Sequence, residues 1–322
     1  MYNIMLKAKK AFNVMVLLAI MLVINDSAHA CDICGCSANG NYLGILPQYQ
    51  YHTIGIRQLN RTFISTHKGL FGSDDEHTNE QFSTSELRGK WVVNEQWQLM
   101  AIVPVHQLKQ SGASNKQVTG IGDVSLLVSR VIASTADTSA NLWRHGLIAY
   151  TGLKAPTGKC DNVFTESRAY VPSMQLGTGS VDINVGVNYT ARRLKFGTNV
   201  EFNYQKNVGN KLDYQFGDRV SSALRFFWWE GALRIKGAII PQVGVQVDWA
   251  QKDYEQKSNQ IINDLSGGYQ LYQTTGLDVY SGSWSFQVSY ALAIKQNFAD
   301  GLIENTTNWR IGINYFISKK EK

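Results

Sequence analysis

Along residues 282–317, bulky apolar side chains take every second position in two successive segments. In the first, Trp284, Phe286, Val288, Tyr290, Leu292 and Ile294 alternate with Ser285, Gln287, Ser289, Ala291, Ala293 and Lys295. In the second, Trp309, Ile311, Ile313, Tyr315 and Ile317 alternate with Arg310, Gly312, Asn314 and Phe316. A period of two is that of a β-strand with one apolar face. The pattern by itself admits two structures. A soluble sandwich turns its polar face to water, whereas a membrane barrel turns its apolar face to lipid and lines a lumen with the other.

Followed along the chain, the alternation predicts twelve strands. They fall near 42–58, 81–93, 97–108, 120–133, 143–155, 173–191, 193–207, 215–229, 231–250, 267–281, 283–296 and 306–317. The phase is plain in Val181, Ile183, Val185, Val187 and Tyr189, opposed by Asp182, Asn184, Gly186 and Asn188. Connections alternate in length. Short turns are expected at Asn94–Gln96, Ala191–Arg192, Glu230–Gly231 and Gly282, with a slightly longer one near Thr135–Leu142. Long loops are expected at 59–80, 109–119, 156–172, 208–214, 251–266 and 297–305. An even strand number with short turns at one end and long loops at the other is the plan of an outer-membrane barrel. Strands of about 10–15 residues exceed the common soluble length of about 5–6, and about 10 cross a bilayer when tilted. Trp91 and Trp97 flank one short turn, Trp228 and Trp229 another, and Trp284 follows a third, as a headgroup-level girdle requires. The expected fold is therefore an all-β, antiparallel, up-and-down transmembrane barrel of about 12 strands, with both termini periplasmic.

The start of the chain fits export. Lys7, Lys9 and Lys10 precede an apolar stretch from Ala11 to Ile24, and Ala28-His29-Ala30 offers a small-x-small cleavage pattern. Residues 1–30 read as a cleaved signal peptide, 31–41 as a periplasmic cysteine-containing leader, and 42–322 as the barrel. The mean hydropathy of −0.20 would suit a soluble protein, but a barrel hides its lipid face by interleaving it with polar residues. Without the leader, 28 basic residues face 24 acidic ones and form no basic tract, which argues against nucleic acid as a partner. The 28 glycines against five prolines, with 8 Trp, 15 Tyr and 13 Phe, suit strands and tight turns. The expected partners are outer-membrane lipid, a small-molecule solute and, during biogenesis, the barrel-assembly machinery. For the last, the chain closes on the aromatic strand Tyr315-Phe316-Ile317.

Gly120-Ile-Gly-Asp123-Val resembles a GlyLeuGlyAsp motif that opens a strand in a known family. Gly152-Leu-Lys-Ala-Pro-Thr-Gly158 and Pro172-Ser-Met-Gln-Leu-Gly-Thr-Gly-Ser180 resemble its paired LysLeuProThrGly and ProSerLeuGlnLeuGlyThrGlySer signature. That family is the outer-membrane β-barrel transporters of the phenol meta-degradation pathway type. The resemblance implies a channel or transporter and names no substrate. The motifs also have a physical reading of their own: the glycines permit turns and close strand approach.

With the polar phase inward, the lumen is expected to carry Glu86, Arg88, Lys90, Asp123, Lys154, Asp182, Glu201, Arg225, Arg234, Lys236, Asp248, Asp278, Lys295 and Arg310. Mixed signs predict ion pairs across a narrow polar passage rather than a ring of one charge. Tyr272, Phe227 and Trp229 would narrow it further. The expected function is passive passage of small solutes, including aromatic or hydrophobic ones; the alternative is a salt-bridged, non-conducting structural barrel.

Cys31-Asp-Ile-Cys34-Gly-Cys36 combines two thiol spacings that suit Cu(I) or Zn, so metal handling in the envelope is a second reading. A disulfide or lipid attachment at Cys31 explains the same residues. His52 lies downstream, while His67, His77 and Cys160 belong to the opposite, long-loop side. For an enzyme, a Ser–His pair oriented by a third polar group is required. His106 and His145 are the strand-associated candidates, and no such spacing accompanies them. No cofactor and no catalytic residue are expected.

Overall fold

The computed structural model describes residues 51–67, 76–112, 115–135, 143–160, 163–164, 169–170, 172–232, 237–255, 260–263, 266–298 and 301–317. The expected signal peptide, the leader with Cys31, Cys34 and Cys36, the predicted strand start at 42–50, and Arg234 and Lys236 lie outside the described residues.

Twelve staves close into one antiparallel barrel. They are β1 (His52–His67), β2 (Glu76–Val92), β3 (Trp97–Gly112), β4 (Lys116–Ile121 and Val124–Ser134), β5 (Trp143–Ala155) and β6 (Asp182–Arg193). The remainder are β7 (Phe196–Lys206), β8 (Arg219–Trp228, continued by Glu230–Ala232), β9 (Gly237–Ala250), β10 (Gly268–Ser281), β11 (Trp284–Phe298) and β12 (Ile303–Ile317). Each stave pairs with its neighbours in sequence, and β1 pairs with β12 from His52↔Ile317 to Ser65↔Ile303, so no edge is left open. Closure satisfies the backbone within the barrel wall, which is what a lipid-exposed sheet demands.

The outer surface settles the choice between sandwich and barrel. Ile54, Ile56, Leu87, Leu99, Leu126, Leu153, Val185, Val187, Phe226, Val245, Val288 and Ile313 are all exposed. A continuous apolar band of this kind is foreign to a soluble monomer. Trp91, Trp97, Trp143, Trp228 and Trp284 are exposed toward the short-turn end. Among the described residues no helix is long and apolar enough to cross a membrane.

Several predicted boundaries move, each for a physical reason. The strand expected at 120–133 is broken at Gly122–Asp123, where Asp123 leaves the ladder to bind a loop. The strand expected at 173–191 begins only at Asp182, because residues 172–180 fold inward. Ala191–Arg192 lies within β6, and the turn falls at Leu194–Lys195, where Leu194 takes a φ of 54°. The strand continues through Glu230–Gly231, since Glu230↔Ile239 and Ala232↔Gly237 extend the β8–β9 ladder.

β1, β2 and β3 reach higher than their apolar alternation suggests, to His67, Glu76 and Gly112. Past Gln58 the apolar phase changes sides: Leu59 and Phe63 are buried inside the barrel, while Asn60 and Thr62 face out. Phe82 and Leu108 repeat this on β2 and β3, where Gln81 and Lys109 are exposed. The inversion marks the level at which the outer wall meets water and the inner wall acquires an apolar core of its own.

Candidate functional site

The interior has two zones. Toward the long loops lies an apolar cluster of Phe63, Phe82, Leu108, Met174, Leu176, Ala250, Phe298 and Ile303. Met174 and Leu176 come from the connection between β5 and β6, whereas Phe63, Phe82, Phe298 and Ile303 line β1, β2, β11 and β12. The inward segment therefore crosses the lumen from one wall to the opposite one. Every residue from Ser173 to Thr178 is buried, and this segment is the occluding element of the barrel.

A knot of charge and hydrogen bonds pins it. Asp123 accepts from the Gly158 amide at 2.9 Å and from the Thr178 amide at 2.8 Å. Lys154 sits 2.7 Å from Asp182 and 3.6 Å from Asp123. Asp182 also accepts from the hydroxyls of Thr178 and Ser180, both at 2.7 Å, and from the Val208 amide at 3.1 Å. Gly177 has to be glycine: a Cβ there would come within 2.2 Å of an Asp123 oxygen. Gly179 holds a φ of +71°, open mainly to glycine. The three motif stretches of the sequence thus meet at one place, and what they build is the anchorage of the inward segment.

The knot is tied in turn to the surface loops. Asp218 accepts from the Tyr204 hydroxyl at 2.6 Å and the Asn207 amide at 3.0 Å, and pairs with Lys206 at 2.9 Å. Asp253 accepts from the Tyr214 hydroxyl and, at 2.6 Å, from the Gly217 amide. Burial pushes the Asp253 carboxyl above its ordinary value, against the pull of those two donors.

Away from the apolar cluster the interior is polar along most of its height. Arg57 pairs with Glu86 at 2.6 Å and Arg225 with Glu201 at 3.0 Å. Gln242 and Gln287 donate to Asp278 at 3.0 and 3.3 Å, Ser221 to Asp248 at 2.6 Å, and Asn203 to the Tyr150 hydroxyl at 3.1 Å. Arg310 on β12 donates to Gln246 on β9 at 3.3 Å, reaching over two intervening staves. The cavity bounded by Arg57, Arg225, Gln246, Asp278 and Arg310 measures about 30 Å³, space for about two water molecules. Phe227, Ala238 and Ile240, with Trp229 and Tyr280, form an apolar cluster at the lower end.

Of the predicted lumen residues, Glu86, Asp123, Lys154, Asp182, Glu201, Arg225 and Asp278 are buried inside, and Arg88, Lys90, Asp248 and Arg310 are half-buried on the inner face. Tyr272 and Phe227 are buried there too. Lys295 is a correction. A bulge between Leu271↔Lys295 and Tyr272↔Ala293 reverses the facing of β11, leaving Lys295 exposed on the outer wall near the Tyr269 ring. Arg57, Arg61, Glu80 and His106 are buried inside and were not expected there. Arg57 continues the inward phase of Gly55 and was legible; Arg61 and Glu80 lie beyond the expected strand limits.

The histidines are engaged locally. His106 is buried against the Thr84 hydroxyl at 2.9 Å, and His145 bonds the Tyr189 hydroxyl at 2.8 Å on the outer wall. Neither is hydrogen-bonded to a carboxylate among the described residues. His52 accepts from the Val92 amide at 3.1 Å at the short-turn end, opposite His77. Cys160 packs against Tyr214 and Phe216 on the long-loop side, as expected.

No family model matches the chain, and no curated protein matches it. Among solved structures, it is similar to the COG4313 outer membrane channel from Pseudomonas putida F1. The TM-score is 0.60 over 92% of this chain and 100% of that one, at 12% identity. The beta domain of the Bordetella autotransporter BrkA gives 0.45, covering 82% of this chain and 99% of its own, at 10% identity. The NalP translocator domain from Neisseria meningitidis gives 0.44, with 83% and 89% covered at 13% identity. The first of these shares the fold. The chain is a twelve-stranded transmembrane β-barrel of the outer-membrane type, with a polar interior closed by an inward segment.

Proposed function

We propose that this barrel is an outer-membrane channel for passive passage of small solutes, including aromatic or hydrophobic ones, and that the 172–180 segment controls it. The observation that carries the reading is that segment itself. A barrel with a purely structural interior has no need of a separate apolar stopper above its ion pairs. Here Met174 and Leu176 pack at the long-loop end against Phe63, Phe82 and Phe298, and a solute displacing them would meet an apolar mouth before the polar zone. Passage is downhill, with the periplasm on the side of the short turns and both termini. Liposome swelling with a solute panel tests this. Faster entry of small aromatic solutes than of sugars of similar size supports the reading; folded barrel that admits nothing, with the segment in place or released, leaves a structural barrel instead.

The Cys31, Cys34 and Cys36 cluster supports a second, separable role, capture of Cu or Zn on the periplasmic side. Metal analysis of purified protein against the triple Cys→Ser variant decides it: equal metal in both ends the idea.

A further inference from the structure

One row of the outer wall at the short-turn rim sets cations among the girdle aromatics and beside an apolar groove. Cross-strand partners at this level run Trp143↔Arg193↔Phe196↔Trp228 over β5, β6, β7 and β8. Arg193 is exposed, and its guanidinium stands 5.7 Å from the Trp143 ring. Among the described residues no carboxylate pairs with it. Lys195 projects from the adjoining turn, 5.7 Å over the Trp228 ring and 2.9 Å from Glu230. Phe196 and Trp228 meet edge to face at 4.3 Å. A cavity of about 1210 Å³ opens here, bounded by Arg193, Lys195, Phe196, Phe226, Trp228 and Val243 among others. Its cations lie at the rim, and its apolar walls, Phe226 and Val243, are exposed positions of the lipid-facing band.

The geometry points to a binding site for one anionic glycerophospholipid, its phosphate between Arg193 and Lys195 and an acyl chain along Phe196, Phe226 and Val243. An exposed guanidinium within an aromatic girdle, at the level of headgroups, calls for a negative partner, and phosphate takes Arg in a planar, two-point contact. The apolar cavity below selects a lipid over a free anion. The site rests on the reading that the short turns face the periplasm, which makes the lipid one of the inner leaflet.

Arg130 supplies an internal comparison. It too is exposed, 5.4 Å from the ring of its cross-strand partner Trp97, yet it does not border the cavity. Native mass spectrometry of the folded, detergent-released protein, with phosphatidylglycerol or phosphatidylcholine of matched chains, tests the site. Phosphatidylglycerol is expected to bind about fivefold more tightly than phosphatidylcholine, the scale of one net surface cation, since Glu230 offsets Lys195. The double variant Arg193→Gln/Lys195→Gln loses that preference and Arg130→Gln keeps it, with heat-modifiable mobility confirming the fold of each. Equal binding of both lipids, equal loss in Arg130→Gln, displacement by glycerol phosphate alone, or a preference for lipid A would each overturn the proposal. Conductance of the same wild-type protein separates this failure from failure of the channel reading, because current without lipid preference removes the site alone.

Discussion

Asp123 and Lys154 show how single residues anchor the inward segment. Each is nearly inaccessible, and each faces more than one partner, so removing either leaves buried charge uncompensated. Breaking a buried pair this way costs about 3–5 kcal/mol. Lys154→Met should therefore lower the thermal unfolding midpoint in detergent clearly, while exposed Lys195→Met, whose pair with Glu230 is open to water, should hardly move it. Gly177→Ala should release the segment more selectively, because its new methyl would collide with Asp123 and leave the wall untouched. In the cap that Asp218 and Asp253 tie together from the surface loops, Asp253 binds its proton more tightly folded than unfolded, so the folded state holds more protons in the interval upward from 3.8. Stability of the cap then falls as pH rises through that interval and grows on acidification. Hydrogen exchange at the Gly217 amide should slow as pH is lowered beyond the intrinsic pH effect, and Asp253→Asn should abolish the extra slowing.

At the level of strands, the facing of each position follows from the period of two, and the interruptions carry the information. Outward Val187 and inward Asn188 are neighbours on β6. Val187→Arg places a charge in the lipid band and should cost about 2–4 kcal/mol near the midplane, read as loss of heat-modifiable, folded barrel. Most of the wall was legible in sequence for this reason, including the pairs at the Asn94 and Gly282 turns. What escaped was of three kinds. Above Gln58 the apolar residues change sides, so an eye following Ile54 and Ile56 ends the strand where Leu59 turns inward. In β11 a bulge reverses the facing of Lys295, and no residue type there announces it. The segment 173–181 was read as strand because Met174 and Leu176 alternate with polar residues, a pattern that equally suits a chain packed inside a barrel. Its tertiary partners, on β1, β2, β11 and β12, are far away in sequence.

The whole molecule is a lipid-facing wall around an interior in which apolar clusters at both ends enclose ion pairs and hydrogen bonds. Twelve staves enclose less space than the 16–18 of a general porin, and the motif residues make their contacts with the inward segment. The barrel itself should migrate differently before and after boiling in SDS. Releasing the stopper should open the bore. Single-channel recording in planar bilayers, comparing wild type with Gly177→Ala and Asp123→Ala, measures that directly. The expected result is small or rare current from the wild type and larger, longer openings from both variants. Folded variants that conduct no more than the wild type would contradict it.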